Sequence, residues 1–146
     1  MGLIKKLKNF SKYSTSLKWL LVVALFESAK NELFLRLKIY KPIKHLHHNT
    51  EDQLGVMSDT EIVKLQEVSK AMNLIEKFAP WRPKCYNRAL TAKNLLSKQK
   101  IDTNLHIGFR KKDGKFDGHA WITYKGKFVT GFLPGIKTFN ELEYIK

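Results

Sequence analysis

The spacing of apolar residues changes near residue 100, and this change constrains the fold more than any other feature of the sequence. Before it, apolar residues recur every three or four positions, as at Ile62, Leu65, Val68, Met72 and Ile75. After it they alternate with other residues, as at Leu105, Ile107 and Phe109. The first spacing is typical of a helix face and the second of a half-buried strand. The chain is therefore predicted to be an α+β protein, with a helical amino-terminal half packed on a small antiparallel sheet.

Capping residues predict where the helices begin and end. A first helix is predicted over 17–40, because the residue before Pro42 resists the helical conformation. A second should begin after a cap at Ser58 or Asp59, and a third should cover 85–98.

Two short segments between alternating runs predict tight turns. Residues 112–115 have the sequence Lys-Asp-Gly-Lys, and residues 125–126 are Lys-Gly. The second turn leads into a strand predicted over 127–132. Consecutive strands joined in this way form antiparallel hairpins.

The length of 146 residues suits one domain with a single core. An apolar fraction of 43% supplies enough burial for the chain to fold. Within that one domain, residues 1–58 are predicted to form an amino-terminal helix and connector, and residues 59–146 to form the core.

The chain is strongly basic, with a formal charge of +14. Such an excess attracts acidic peptides, anionic lipid headgroups or nucleic acid, or it forms a solvated surface. We expect a peptide partner and no nucleic acid, and peripheral membrane contact stays open. The apolar run 19–26 is shorter than the roughly 20 residues that cross a bilayer, and the protein is expected to be cytoplasmic.

Neither a cofactor nor a metal site is predicted. Cys85 is the single cysteine, which excludes an intrachain disulfide and a thiolate zinc cluster. His45, His47 and His48 lie in a polar segment without carboxylate or thiolate partners at ligand spacing, so a solvated loop is favoured over a metal site. No phosphate-binding loop is present in the sequence.

Cys85 and His119 are the candidate nucleophile and base. A cysteine attacks a carbonyl as its thiolate, which a nearby imidazolium or a helix amino terminus stabilises. Cys85 follows Pro83 at the start of a predicted helix, where unpaired N–H groups favour negative charge. His119 lies on a predicted strand of the sheet on which this helix should pack. Papain-like enzymes place their cysteine and histidine in this way.

The sequences around these two residues resemble those of one family. The helix start Cys85-Tyr86-Asn87-Arg88-Ala89-Leu90 and the strand Gly118-His119-Ala120-Trp121 are similar to the B proteins of lasso-peptide clusters. Those proteins are leader peptidases of the transglutaminase-like superfamily, related to microcin-processing enzymes. The similarity covers about residues 60–132.

This resemblance implies a papain- or transglutaminase-like core and a thiol protease that acts in antibiotic biosynthesis. Its substrate would be a ribosomally synthesised precursor, from which it removes the leader peptide. A macrolactam synthetase of the same cluster would then cyclise the core peptide. Residues 1–58 predict helix and loop rather than an attached recognition domain, so a separate leader-recognition protein is expected.

The sequence offers several candidates for a third catalytic residue, because the place of the family's acid reads Val129-Thr130-Gly131-Phe132. Asp117 is the first candidate, and Asn140 and Thr130 are alternatives. A backbone carbonyl or water could also orient His119. Restoring a carboxylate by Gly131→Asp is expected to raise activity, provided that Gly131 does not need a positive φ.

Two other functions stay open. The same two residues could transfer an acyl group to an amine, as in a transglutaminase, because both reactions share an acyl-enzyme. Alternatively Cys85 could be inert in a basic scaffold that binds a leader peptide or a membrane. Lys84 and Arg88 could help to hold the thiolate or an acidic leader, although exposed charge is their simpler interpretation.

Overall fold

Residues 11–39 and 55–141 are described by the computed structural model, in which caps and tight turns mark the ends of the elements. The elements in chain order are α1 (Thr15–Arg36), α2 (Asp59–Phe78), α3 (Cys85–Lys98), β1 (Asn104–Lys112), β2 (Lys115–Tyr124), β3 (Lys127–Thr130), a short 3-10 helix (Ile136–Thr138) and β4 (Asn140–Glu141). The predicted α+β class, with helices first and an antiparallel sheet after them, is confirmed.

Of the three α-helices in the described ranges, two begin at a serine cap. Ser14 accepts a hydrogen bond from the Leu17 N–H at 3.2 Å. Ser58 and Glu61 form a reciprocal capping box at the start of α2. Of the two predicted caps, Ser58 and Asp59, Ser58 is therefore the one present. The third helix begins at Cys85, as predicted, and its N-cap residue Lys84 makes no side-chain capping bond.

Helix α1 ends at Arg36, earlier than the predicted end at residue 40. Lys38 takes a positive φ of 54°, and its N–H binds the Leu35 carbonyl at 3.2 Å. The Ile39 N–H binds the Phe34 carbonyl at 3.1 Å. These two bonds form a Schellman motif. The helix therefore ends because its last carbonyls bind the following N–H groups, and not because of Pro42.

The sheet is antiparallel and has the strand order β3-β2-β1-β4. Both predicted turns are present, and each has two successive residues with positive φ, as a type I′ hairpin requires. Strand β3 ends at Thr130 rather than at 132, because Gly131 leaves the extended conformation with a φ of 84°. The short β4 was not predicted, and it pairs with β1 at Gly108 and Phe109.

One face of the sheet packs against α2 and α3, and α1 packs on those two helices. Its buried residues Leu105, Ala120 and Ile122 belong to the same core cluster as residues of α1, α2 and α3. The predicted stripe of α2 is buried at Leu65, Val68, Met72 and Ile75. Ile62 is exposed, in contrast to the prediction, because it lies in the first turn of the helix. The division of the chain at residue 58 stays a prediction.

Helix α1 buries apolar residues in its first half and polar residues in its second half, and its outer side carries exposed apolar residues. Glu27, Ser28 and Asn31 are buried against the rest of the protein. Trp19 and Phe26 are 71% and 77% exposed. The exposed apolar residues of the helix, Trp19, Val22, Phe26 and Leu33, lie about one or two turns apart on the opposite side. Within the described ranges, no helix combines the length and apolarity needed to cross a membrane.

Glu61 joins the start of α2 to the end of β2. Its carboxylate accepts hydrogen bonds from the Tyr124 hydroxyl, from the Ser58 N–H at 2.7 Å and from the Lys125 ammonium at 3.3 Å. The hydrogen bond from Tyr124, followed by that from Ser58, lowers the pKa of Glu61 to about 2 from its ordinary value of 4.5. This carboxylate therefore favours the folded state when it is ionised.

Replacing Glu61 by glutamine should reduce the acid sensitivity of folding. Because the folded pKa of about 2 lies below the ordinary 4.5, ionised Glu61 stabilises the protein above about pH 4.5. That stabilisation is lost as the pH falls towards 2. Urea unfolding at pH 7 and pH 3 should show a smaller difference in Glu61→Gln than in the parent. The control Asp102→Asn, at a side chain that is 93% exposed, should keep the parent's difference, and an unchanged Glu61→Gln would contradict the prediction.

Candidate active site

Cys85 is the first residue of α3 and is half-buried. The N–H groups of a first helical turn have no partner within the helix, so they favour negative charge beside them. Ala89 and Ala92 follow Cys85 on one side of α3 and are buried in the core. Cys85 packs against that core. These small residues let α3 lie close to β2, as their spacing predicts.

Buried hydrogen bonds hold the first turn of α3 against α1. The Ser28 hydroxyl donates to the Asn87 carboxamide oxygen at 2.9 Å, and the Asn87 amide nitrogen donates to the Ser28 carbonyl at 3.1 Å. The Trp81 indole N–H donates to the same hydroxyl at 3.0 Å. Ser28 thus fixes both the turn that precedes Cys85 and the residue two positions after it.

A second set of polar contacts continues along the same two helices. The Asn31 amide donates to the Thr91 hydroxyl at 3.0 Å. Buried Glu27 is surrounded by donors from Lys30, Asn94 and Lys98. Burial alone would raise the pKa of Glu27, but these hydrogen bonds outweigh it and lower the pKa. Glu27 is therefore held as a carboxylate inside the helical layer.

His119 lies on β2 and is 8% exposed. Its Nε2 is 2.6 Å from the Gly131 carbonyl oxygen. Because a carbonyl can only accept, Nε2 must carry the proton. In the neutral ring this leaves Nδ1 with a lone pair, which is the state that a general base needs.

Aromatic rings pack on both sides of this strand position. The His119 ring stacks on Trp121 at a centroid distance of 6.0 Å and lies 5.8 Å from the Phe139 ring. His106 of β1 stacks on the same Trp121 at 5.4 Å. Because side chains alternate along a strand, the rings of His119 and Trp121 lie on the face of the sheet opposite Ala120. The imidazole is thereby held in one orientation.

The three candidates for a third catalytic residue lie in different surroundings. Asp117 forms an ion pair with Arg110, at 2.9 Å to Nε and 2.8 Å to Nη2, and its side chain is 46% exposed. Asn140 is exposed on β4, and Thr130 is half-buried at the end of β3. The described hydrogen bond of the His119 ring goes to Gly131. A side chain as third member stays a prediction.

The pairing of Cys85 with His119 also stays a prediction. Cys85 contacts the helical core, which includes Ala120, the neighbour of His119 on β2. Helix α3 and strand β2 pack against each other, but strand alternation places the His119 ring on the face opposite Ala120, away from the core that Cys85 contacts.

Gly131 cannot accept a side chain without strain. It has a φ of +84°, and a Cβ there would lie 2.7 Å from the Trp121 Cβ and 2.8 Å from the Ala120 carbonyl oxygen. The condition for restoring activity by Gly131→Asp is therefore not met. The glycine is needed because the chain turns sharply beside β2 and presents its own carbonyl to His119.

Several of these site residues escape sequence reasoning. The contact from the Gly131 carbonyl could not be predicted, because every residue has a backbone carbonyl. The available signal was the glycine at the place where the resemblance implies an acid. Ser28 and Asn87 lie 59 positions apart, so their bond could not be read from local spacing. Their polarity within otherwise apolar helices was the available signal.

An open pocket of about 810 Å³ adjoins Cys85. It lies between the end of α2, the turn before α3 and the first turn of α3. Among the residues described, no group of three or more histidine, cysteine or acidic side chains could hold a metal ion. The predicted loop of His45, His47 and His48 lies outside the described residues.

A comparison with protein families gives one match. The profile described as transglutaminase-like superfamily matches residues 32–143, which is more than half of the chain. The superfamily part of the resemblance is thereby confirmed, whereas the narrower likeness to lasso B proteins stays a prediction. No curated protein and no solved structure gives a significant match.

Gly131→Ala should be much more destabilising than Gly114→Ala. Both glycines have positive φ, but a Cβ at Gly114 would meet nothing within 4 Å. Gly114→Ala should cost about 1–2 kcal/mol from backbone strain alone. Gly131→Ala adds a steric conflict of about 1–3 kcal/mol. Urea unfolding measures both, and equal losses would show that the close contacts at Gly131 are not important.

Asn87→Ala should destabilise the protein, because it leaves the buried Ser28 hydroxyl without its acceptor. The expected loss is about 1–3 kcal/mol. Asn73→Ala, at an exposed position of α2, is the matched control and should lose less than about 0.5 kcal/mol. The free energies come from urea unfolding, and similar losses in both variants would argue against a structural role for Asn87.

Proposed function

The chain belongs to the transglutaminase-like superfamily, and on this basis we propose that it is a cysteine peptidase with Cys85 as nucleophile and His119 as base. The observation that carries the proposal is the hydrogen bond from His119 Nε2 to the Gly131 carbonyl, which leaves Nδ1 free to accept a proton. The position of Cys85 at the first residue of α3 supports it further.

The proposed reaction has two steps. Cys85 Sγ attacks the scissile carbonyl while His119 takes the thiol proton, and the His119 imidazolium then returns it to the leaving amine. Backbone N–H groups near Cys85 stabilise the oxyanion of each tetrahedral intermediate. Water, activated by His119, attacks the resulting thioester and releases the new carboxylate and the free thiol.

The Gly131 carbonyl takes the orienting role in this proposal. A carbonyl dipole holds the direction of the ring, but it stabilises an imidazolium less than a carboxylate would. Asp117 is the alternative third member, and it would have to leave Arg110 to serve His119. Asn140 and Thr130 remain the further alternatives.

The proposed substrate is a ribosomally made, lasso-type precursor, cut between leader and core in the cytoplasm. This narrower proposal is supported by the local sequences around Cys85 and His119 and by the superfamily match. The proposed partners are the precursor, a separate leader-recognition protein and a macrolactam synthetase. The exposed apolar side of α1 offers an area for a partner or for peripheral contact with a membrane.

Cys85→Ala and His119→Ala should each abolish cleavage of a short precursor peptide encoded beside the gene. Each change should lower the rate by about 10⁴-fold or more, and the double variant should lose little beyond either single variant. Asp117→Asn should retain most of the activity, because the carboxylate pairs with Arg110. Mass spectrometry of the products gives the rates.

The same experiment distinguishes the alternatives. If Asp117→Asn loses about 10⁴-fold, Asp117 is a third catalytic residue rather than a surface partner of Arg110. If added methylamine appears on the new carboxyl terminus in place of water, acyl transfer is the favoured reaction. If the parent protein cleaves nothing and Cys85 resists iodoacetamide until unfolding, the peptidase proposal is wrong and the scaffold function is favoured.

A further inference from the structure

The pocket beside Cys85 is strongly basic. Its charged lining consists of Lys77, Arg82, Lys84 and Arg88 on the positive side and Glu76 on the negative side. Glu76 is already bound by Arg88 in an ion pair. Within residues 11–39 and 55–141, no ion pair engages Lys77, Arg82 or Lys84. The pocket therefore presents an excess of positive charge to whatever enters it.

The walls that carry this charge are held in place from several sides. Pro80 and Pro83 are part of the lining and restrict the backbone of the turn between α2 and α3. The Arg82 N–H binds the Ala79 carbonyl at 3.1 Å. The Arg88 side chain is only 17% exposed. A ligand thus meets basic groups on a backbone that needs little reorganisation.

Cys85 itself forms part of the same lining. A group bound in the pocket therefore lies next to the thiol. With a volume of about 810 Å³, the pocket has the size of sites that take small ligands or a few side chains. Its charge would favour an anionic ligand over a neutral one.

We propose that this pocket binds a carboxylate side chain of the substrate peptide, so that the protein prefers an aspartate or glutamate beside the bond that Cys85 attacks. The inference rests on the proposed function, since it assumes that Cys85 is the nucleophile. It adds a substrate class and three specificity residues, Lys77, Arg82 and Lys84, to that function.

Two alkylating reagents test the pocket without knowledge of the natural substrate. Iodoacetate and iodoacetamide transfer similar groups to a thiolate with loss of iodide, but only iodoacetate carries a carboxylate. Because Cys85 is the single cysteine of the chain, the mass of the protein reports its alkylation alone. The measured quantity is the ratio of the iodoacetate rate to the iodoacetamide rate, divided by the same ratio for 2-mercaptoethanol.

At low ionic strength this normalised ratio should be about 10 or more, because a positively charged cleft raises the local concentration of an anionic reagent. It should fall towards one as the salt concentration approaches 1 M, where the screening length is roughly 3 Å. Arg82→Gln and Lys84→Gln should each lower it, and their combination should lower it further. Lys64→Gln, at an exposed position on α2 outside the pocket, should leave it unchanged.

A normalised ratio near one in the parent, or one that Arg82→Gln and Lys84→Gln leave unchanged, would overturn the inference. Circular dichroism of each variant checks that the fold is retained. The iodoacetamide rate taken alone tests whether Cys85 is a reactive thiolate. A fast iodoacetamide reaction with a ratio near one would therefore refute the acidic preference and leave the peptidase proposal standing. A high ratio in a protein that cleaves no precursor would support the anion-binding pocket and contradict the peptidase proposal.

Discussion

The interlock between α1 and α3 is the contact on which the candidate site depends. It is made of hydrogen bonds between buried polar groups, chiefly Ser28 with Asn87 and Asn31 with Thr91. Apolar packing tolerates small slips of one helix along another, whereas buried donors and acceptors lose their partners when a helix shifts. The register of α3 is therefore fixed relative to α1, and Cys85 at its first turn is fixed with it.

The sheet supplies the second requirement, which is a defined ring orientation at His119. The chain reaches this through Gly131, whose positive φ turns the backbone so that a carbonyl faces the imidazole. The aromatic layer of Trp121 and Phe139 then limits rotation of the ring. A backbone carbonyl thus binds the His119 ring, and the turn that permits this contact excludes a side chain at Gly131.

Much of the fold could be predicted from local patterns, because each pattern has a local physical cause. The bounds of α3 and the cap at Ser58 followed from spacing and from proline and serine preferences. The burial of Glu27 could not be predicted, since its donors Asn94 and Lys98 come from a distant segment. The end of α1 at Arg36 was missed because lysine rarely takes the left-handed conformation found at Lys38.

The outward side of α1 is separate from the contacts that hold the helix in place. Trp19, Phe26 and Leu33 are exposed, while Ser28 and Asn31 make the buried bonds. Exposed positions usually change stability by less than about 0.5 kcal/mol when substituted. Substitutions on this surface therefore leave the contacts of Cys85 and His119 undisturbed. Such a surface can acquire new partners by substitution while the buried contacts of the helix stay the same.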